Sequence, residues 1–209
     1  MIVLGITGSI GMGKSEAARM LRRQGVPVFE SDAAVHAMMR SDGVAVAAIE
    51  EAFSEAVRDG VVDRARLGAC VFGDDEALAR LEAILHPRVY RAQRAFLARL
   101  AGQRCPLAAL DIPLLFETGG ERKVDASVVV SAPGRIQRRR VLARSGMTDS
   151  RLEDILARQM PDREKRRRAD YVLPSGLGKR VMYRAICQLI AVVRARPGRV
   201  WPWPAQSRR

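Results

Sequence analysis

The run Gly8-Ser-Ile-Gly-Met-Gly-Lys14-Ser15 constrains this chain more than any other feature. It matches G-x-x-x-x-G-K-[ST], and its setting fits. An apolar run, Met1 to Ile6, precedes it, and a helical pattern starts at Lys14. A continuous apolar run rich in branched residues predicts a buried strand. Glycines let the backbone curl so that several N–H groups face a phosphate without side-chain clash. The helix beginning at Lys14 adds the positive end of its dipole. Lys14 can neutralise β- and γ-phosphates, and the Ser15 hydroxyl can ligate Mg2+. The candidate ATP-contacting residues are Gly8, Ser9, Ile10, Gly11, Met12, Gly13, Lys14, Ser15 and Glu16. Such a P-loop implies a nucleoside triphosphate and Mg2+, and leaves the phosphate acceptor open.

Beyond this loop, short apolar runs alternate with helical patterns. Strands are expected at Val26–Phe29, Leu107–Ile112, Ala126–Ser131 and Tyr171–Leu173. Helices are expected from Lys14 to about Arg23, from Asp32 to about Arg40, and from Lys179 to Ala195. The last carries Val181, Met182, Ala185, Ile186, Leu189, Ile190 and Val193 on one face. Strands separated by helices indicate an α/β fold with a parallel sheet and right-handed crossovers. Residues 43–101 are helical in pattern, with no convincing strand. His86-Pro87 interrupts them, so one helix is expected to end near Leu85 and another to begin at Pro87. Residues 135–168 carry twelve basic side chains against five acidic ones. The tail from Arg196 lacks periodicity and is expected to be mobile or loosely docked.

At 209 residues the chain suits one domain that needs no disulfides to hold a core. Its three cysteines, far apart and odd in number, exclude a disulfide framework and point to a reduced, cytoplasmic setting. No secretory signal is evident, and no segment has the roughly 18–20 apolar residues that span a bilayer. The net charge is +13, and arginine supplies 32 of the 36 basic residues. Arginine's planar fork suits phosphate. A GC-rich genome would give the same bias. Nucleic-acid binding is disfavoured, because aromatics are only 5% and leave little to stack bases.

No GTPase-type N-K-x-D motif is present. A helical insertion and an arginine-rich late segment suit a small-molecule kinase, which needs a lid to keep water from the γ-phosphate. Asp32 follows the second strand, where α/β proteins build sites. It can orient an acceptor hydroxyl and take its proton, or simply cap a helix. Asp111 ends a strand resembling a Walker B element and is a candidate Mg2+ partner through water. An ordinary strand-end aspartate fits equally. A kinase for another acceptor, such as a nucleoside monophosphate, is the runner-up.

Further residues recur in an order that resembles the dephospho-coenzyme A kinase family. They are Gly5 to Ser15, Ser31-Asp32-Ala33, Asp63-Arg64 with Leu67, Val71-Phe72, His86-Pro87, and Pro113-Leu-Leu-Phe-Glu117. Gln137 with Arg140 and Arg144, Gln159, and Ala169-Asp170 complete the set. The resemblance covers about residues 1–195 and implies ATP-dependent phosphorylation of the ribose 3′-hydroxyl of dephospho-coenzyme A. It implies one kinase domain over 1–195. Its nucleotide-binding core would occupy about 1–31, 102–134 and 169–195. A helical substrate region would occupy about 32–101 and a helical lid about 135–168, with a tail at 196–209. By resemblance Asp32 is the base, Lys14 and Ser15 hold ATP and Mg2+, and Arg140 is the lid arginine at the phosphates, with Arg144 in support. His86, Pro113, Leu114, Leu115 and Glu117 would line the acceptor side, and the loop after Asp170 would lie near adenine. No membrane, nucleic-acid or obligate protein partner is implied. Three positions depart from the family pattern: Glu16 where threonine is usual, Glu30 in place of a first aspartate, and Ser175 where asparagine is common.

Overall fold

The computed structural model describes residues 1–203. Along the chain the elements are β1 (Ile2–Thr7), α1 (Lys14–Arg23), β2 (Val28–Glu30), α2 (Ser31–Met38), α3 (Val46–Ala52), β3 (Val57–Arg58), β4 (Val61–Val62), α4 (Arg64–Val71) and α5 (Asp75–Gly102). They continue with β5 (Leu107–Asp111), β6 (Ala126–Ser131), α6 (Gly134–Leu142), α7 (Asp149–Ala157), α8 (Asp162–Arg168), β7 (Tyr171–Pro174) and α9 (Lys179–Arg194). The chain divides into two compact units, one formed by Met1–Phe29 with the chain from Leu97 onward, the other by Glu30–Phe96.

The first unit is built on a five-stranded sheet in the order β2-β5-β1-β6-β7. β1 pairs in parallel with β5 and with β6, and β6 pairs in parallel with β7. All residues of β1, β5 and β6 are buried, as expected of strands covered on both faces. Ile2, Leu4 and Ile6 of β1 join Ala17, Ala18 and Leu21 of α1 in the core. Met182, Ile186, Leu189 and Val193 from one face of α9 complete it. Val181, expected on that face, is 40% exposed.

The second unit buries Met38, Ile49, Phe53, Leu67, Leu81 and Leu85 in its own core. Two expectations are corrected here. The stretch 43–101 does contain strands: β3 and β4 form a small antiparallel hairpin about Asp59-Gly60, both with positive φ. An Asp-Gly dipeptide, here between Arg58 and Val61, is a strong short-range turn signal. Moreover, α5 runs unbroken through Pro87. A proline inside a helix costs about 3 kcal/mol. Leu81 and Leu85 before it and Leu97 and Leu100 after it are all buried, at about 1.5–3 kcal/mol each, which outweighs the break. Arg88 also fastens this point, with Nη1 donating to the Ile84 carbonyl (2.6 Å) and Nε to the Val44 carbonyl (3.0 Å).

The tail also departs from expectation where it is described. The Val200 N–H donates to Asp125 Oδ1 at 3.0 Å, and Arg199 N–H meets the same oxygen. Trp203 is buried and its indole N–H donates to the Lys123 carbonyl at 3.0 Å. Residues 204–209 of the expected tail lie outside the described residues. Among the described residues, no helix is long and apolar enough to cross a membrane.

Candidate active site

In the sheet of the first unit, β1 is flanked by β5 on one side and β6 on the other, so the winding direction reverses at β1. Parallel sheets form their ligand crevice at the carboxyl ends of strands flanking such a point. The P-loop leaves β1 there. Gly11 has φ 75°, and a Cβ on it would lie 2.5 Å from Val141 Cγ2. A Cβ on Gly8 would meet the Val130 carbonyl oxygen at the same distance. Only glycine satisfies both positions. Gly13, also left-handed, is the N-cap of α1, so Lys14 and Ser15 open the helix at the positive end of its dipole. Lys14 Nζ stands 3.3 Å from Asp111 Oδ1, at the carboxyl end of β5. Ser15 is exposed beside it. A hydroxyl and a carboxylate are hard oxygen donors of the kind Mg2+ takes alongside phosphate and water, so this pair fits that ion. Glu16 pairs instead with Arg19 on the flank of α1.

The outer side of the loop is held by side chains from later in the chain. Gln137 Nε2 donates to the Ile10 carbonyl (2.9 Å), and Gln159 Oε1 accepts from the Ile10 N–H (3.1 Å). Arg140 Nη1 reaches the Gly11 carbonyl (3.4 Å) and the Ser175 hydroxyl (3.0 Å), while Nη2 donates to the Ser175 carbonyl (2.7 Å). The Ser175 hydroxyl in turn donates to the Met12 carbonyl. Arg144 is exposed. Sequence reasoning marks the two glutamines without a role and marks Ser175 only as a departure. Their packing depends on chain segments more than a hundred residues from the loop, which periodicity cannot register.

The Pro113–Glu117 segment follows β5. Thr7 Oγ1 donates to the Pro113 carbonyl at 2.9 Å. Pro113 and Leu114 are half-buried, but Leu115 is fully buried under β1 near Gly5, so its side chain belongs to the core rather than to a ligand surface. Glu117 Oε1 is 2.8 Å from Lys165 Nζ and accepts the Met160 N–H at 2.9 Å. Burial raises the Glu117 pKa, but the contacts with Lys165 and the Met160 N–H outweigh it and hold the carboxyl below its ordinary value. Two further acids brace β6. Asp162 accepts from the Ser131 hydroxyl, and Asp170 from the N–H and hydroxyl of Ser127, each at 2.7 Å.

In the second unit, Asp32 lies in the first turn of α2 and is exposed. The N-cap position belongs to Glu30, with no side-chain capping bond, which removes the capping explanation for Asp32. Among the described residues Asp32 has no hydrogen-bond or ion-pair partner. Gln93 of α5 donates to the Ser31 hydroxyl at 3.2 Å and fixes the start of α2. His86, also exposed, precedes Gln93 by two helical turns and so shares its face of α5.

Residues 2–177 match the family model for dephospho-CoA kinase (CoaE). The chain belongs to the dephospho-CoA kinase family. The dephospho-CoA kinase of Mesorhizobium japonicum is 54% identical over 95% of this chain and 100% of its own length. That of Paramagnetospirillum magneticum is 61% identical over 79% of this chain and 78% of its own. The crystal structure of TT1252 from Thermus thermophilus superposes with a TM-score of 0.80, at 40% identity, covering 92% of this chain and 97% of that one. Dephospho-CoA kinases catalyse the final step of coenzyme A biosynthesis, and a kinase built on a P-loop uses a nucleotide.

Proposed function

We propose that this chain transfers the γ-phosphoryl group of ATP to the ribose 3′-hydroxyl of dephospho-coenzyme A, giving coenzyme A and ADP. The observation that carries this reading is the constellation at the carboxyl ends of β1 and β5. There a glycine-walled loop, the helix-opening Lys14 and Ser15, and a strand-end Asp111 converge in a chain matching the family over residues 2–177. Lys14 draws charge off the β- and γ-phosphates. Asp32 accepts the proton of the attacking hydroxyl as its oxygen bonds to phosphorus and the bond to the β–γ bridging oxygen breaks in line. Its exposed, unpartnered carboxylate supports that role. Positioning and charge stabilisation supply most of the rate. Mg2+ held by Ser15, with Asp111 through water, would neutralise charge between the β- and γ-phosphates.

Arg140 uses three N–H···O contacts at the loop and keeps further donors for a phosphate. The compact unit Glu30–Phe96 supports reading the region around 32–101 as the acceptor-binding part, with His86 on it, and α6 to α8 as the lid. Pro113, Leu114 and Glu117 would border the acceptor. Three free cysteines fit a cytoplasmic enzyme. The test is ADP release with a panel of acceptors, comprising dephospho-coenzyme A, nucleoside monophosphates and small polyols. Turnover confined to dephospho-coenzyme A supports the reading, and preference for a nucleoside monophosphate overturns it.

A further inference from the structure

We infer that Gln137 and Ser175 are positioning residues that keep two P-loop peptides turned so that their N–H groups face the β-phosphate. Within one peptide plane, the carbonyl of a residue and the N–H of the next point in opposite directions. A loop whose N–H groups converge inward therefore turns its carbonyls outward, and whatever holds the carbonyls sets the aim of the N–H groups. Here the carbonyls of Ile10, Gly11 and Met12 accept, in order, from Gln137, Arg140 and Ser175. Their plane-mates are the N–H groups of Gly11, Met12 and Gly13. The Met12 N–H already donates to the Ser9 carbonyl (3.1 Å), so that peptide is pinned from both sides. Those of Gly11 and Gly13 have no partner among the described residues. These two are free to receive an anion, and their orientation depends on Gln137 and Ser175 respectively.

The clamp answers a weakness of the loop itself. Gly11 and Gly13 sit at φ 75° and 94°, and glycine moves between backbone regions at little cost. A peptide preceding such a glycine flips readily unless its carbonyl is held. Gln137 and Ser175 are both buried, at 8% and 6% exposure, so water competes poorly for these carbonyls. Ser175 also presents its hydroxyl and carbonyl to Arg140, so one serine fixes both a loop peptide and a guanidinium. The serine at this family-variant position is thus explained by the loop it holds, independently of any contact with the base.

The inference rests on the proposed phosphate-binding role of the loop, and the test separates the two. ADP and AMP affinities are measured by calorimetry on the full chain for the parent, Ser175→Ala, Ser175→Thr, Gln137→Met and Lys14→Ala. AMP lacks the β-phosphate, so the ADP-to-AMP affinity ratio reads the loop, whereas a general loss of structure lowers both. Ser175→Ala and Gln137→Met are each expected to weaken ADP about tenfold and AMP less than twofold, the size of one lost hydrogen bond. Ser175→Thr, which keeps the hydroxyl, restores the ratio. If Lys14→Ala weakens ADP while Ser175→Ala and Gln137→Met leave the ratio at the parent value, the positioning role is wrong. If Lys14→Ala also leaves ADP binding unchanged, the phosphate-binding reading fails and takes the inference with it.

Discussion

Replacing Glu117 by glutamine should destabilise this protein far more than an ordinary change of one partly exposed carboxylate. Lys165 has a fully buried side chain, and its ammonium lies 2.8 Å from Glu117 Oε1. A glutamine there would keep the shape and an acceptor for the Met160 N–H, but would leave a buried cation uncompensated. Breaking a buried pair from one side costs about 3–5 kcal/mol. The Glu117 side chain is 18% exposed, so some water can reach the cation, and about 2–4 kcal/mol is the better figure. In a chain of this length each kcal/mol moves Tm by about 2–4 °C, which predicts a fall of about 4–16 °C. Adding Lys165→Met to Glu117→Gln removes the orphaned charge and should recover most of the loss. Thermal unfolding of the parent, both single variants and the double variant by circular dichroism measures this coupling. The pH dependence follows from the lowered pKa. The pair's stabilisation is complete above the ordinary carboxylate value of about 4.3 and is lost as pH falls through the lower folded value. The gap between parent and Glu117→Gln should therefore narrow below about pH 4. A Glu117→Gln protein melting within about 1 °C of the parent at pH 7 would refute the reasoning.

Three other outcomes are expected. Asp32→Asn should lower kcat by about 10²–10⁴ while leaving Tm nearly unchanged, because the side chain is exposed and unpartnered among the described residues; steady-state kinetics with a melting curve checks both. Gly11→Ala should cost about 1–3 kcal/mol in denaturant unfolding and weaken ATP binding, since the new Cβ would crowd Val141 in a left-handed backbone. Trp203→Ala should cost about 3 kcal/mol in the same assay, as the indole is 4% exposed and bonded to the Lys123 carbonyl.

Local signals carry the nucleotide side of the molecule. A buried strand, a glycine turn and a helix opening at Lys14 are all written within the first fifteen residues, and the structure realises them there. The α9 stripe is equally legible, because 3.6-residue periodicity survives wherever one face is buried. Arbitration between local preference and tertiary burial is what sequence pattern misses. Pro87 reads as a helix boundary, yet buried leucines on both sides carry α5 through it. Asp59-Gly60 escapes notice because its strands are only two residues long, too short for alternation to register. The tail lacks periodicity, yet Asp125 and Lys123 hold it through backbone and indole hydrogen bonds. At the site, motif residues are legible as names, but the outward-facing clamp of Gln137, Arg140 and Ser175 exists only once distant segments meet the loop.

Incubation with ATP, Mg2+ and dephospho-coenzyme A, followed by mass spectrometry and phosphorus NMR of the products, decides whether the chemistry is as described. The expected result is coenzyme A phosphorylated at the ribose 3′ position, with ADP in equal amount, and no product from Lys14→Ala. ATP consumed to ADP and inorganic phosphate with dephospho-coenzyme A recovered intact would contradict it.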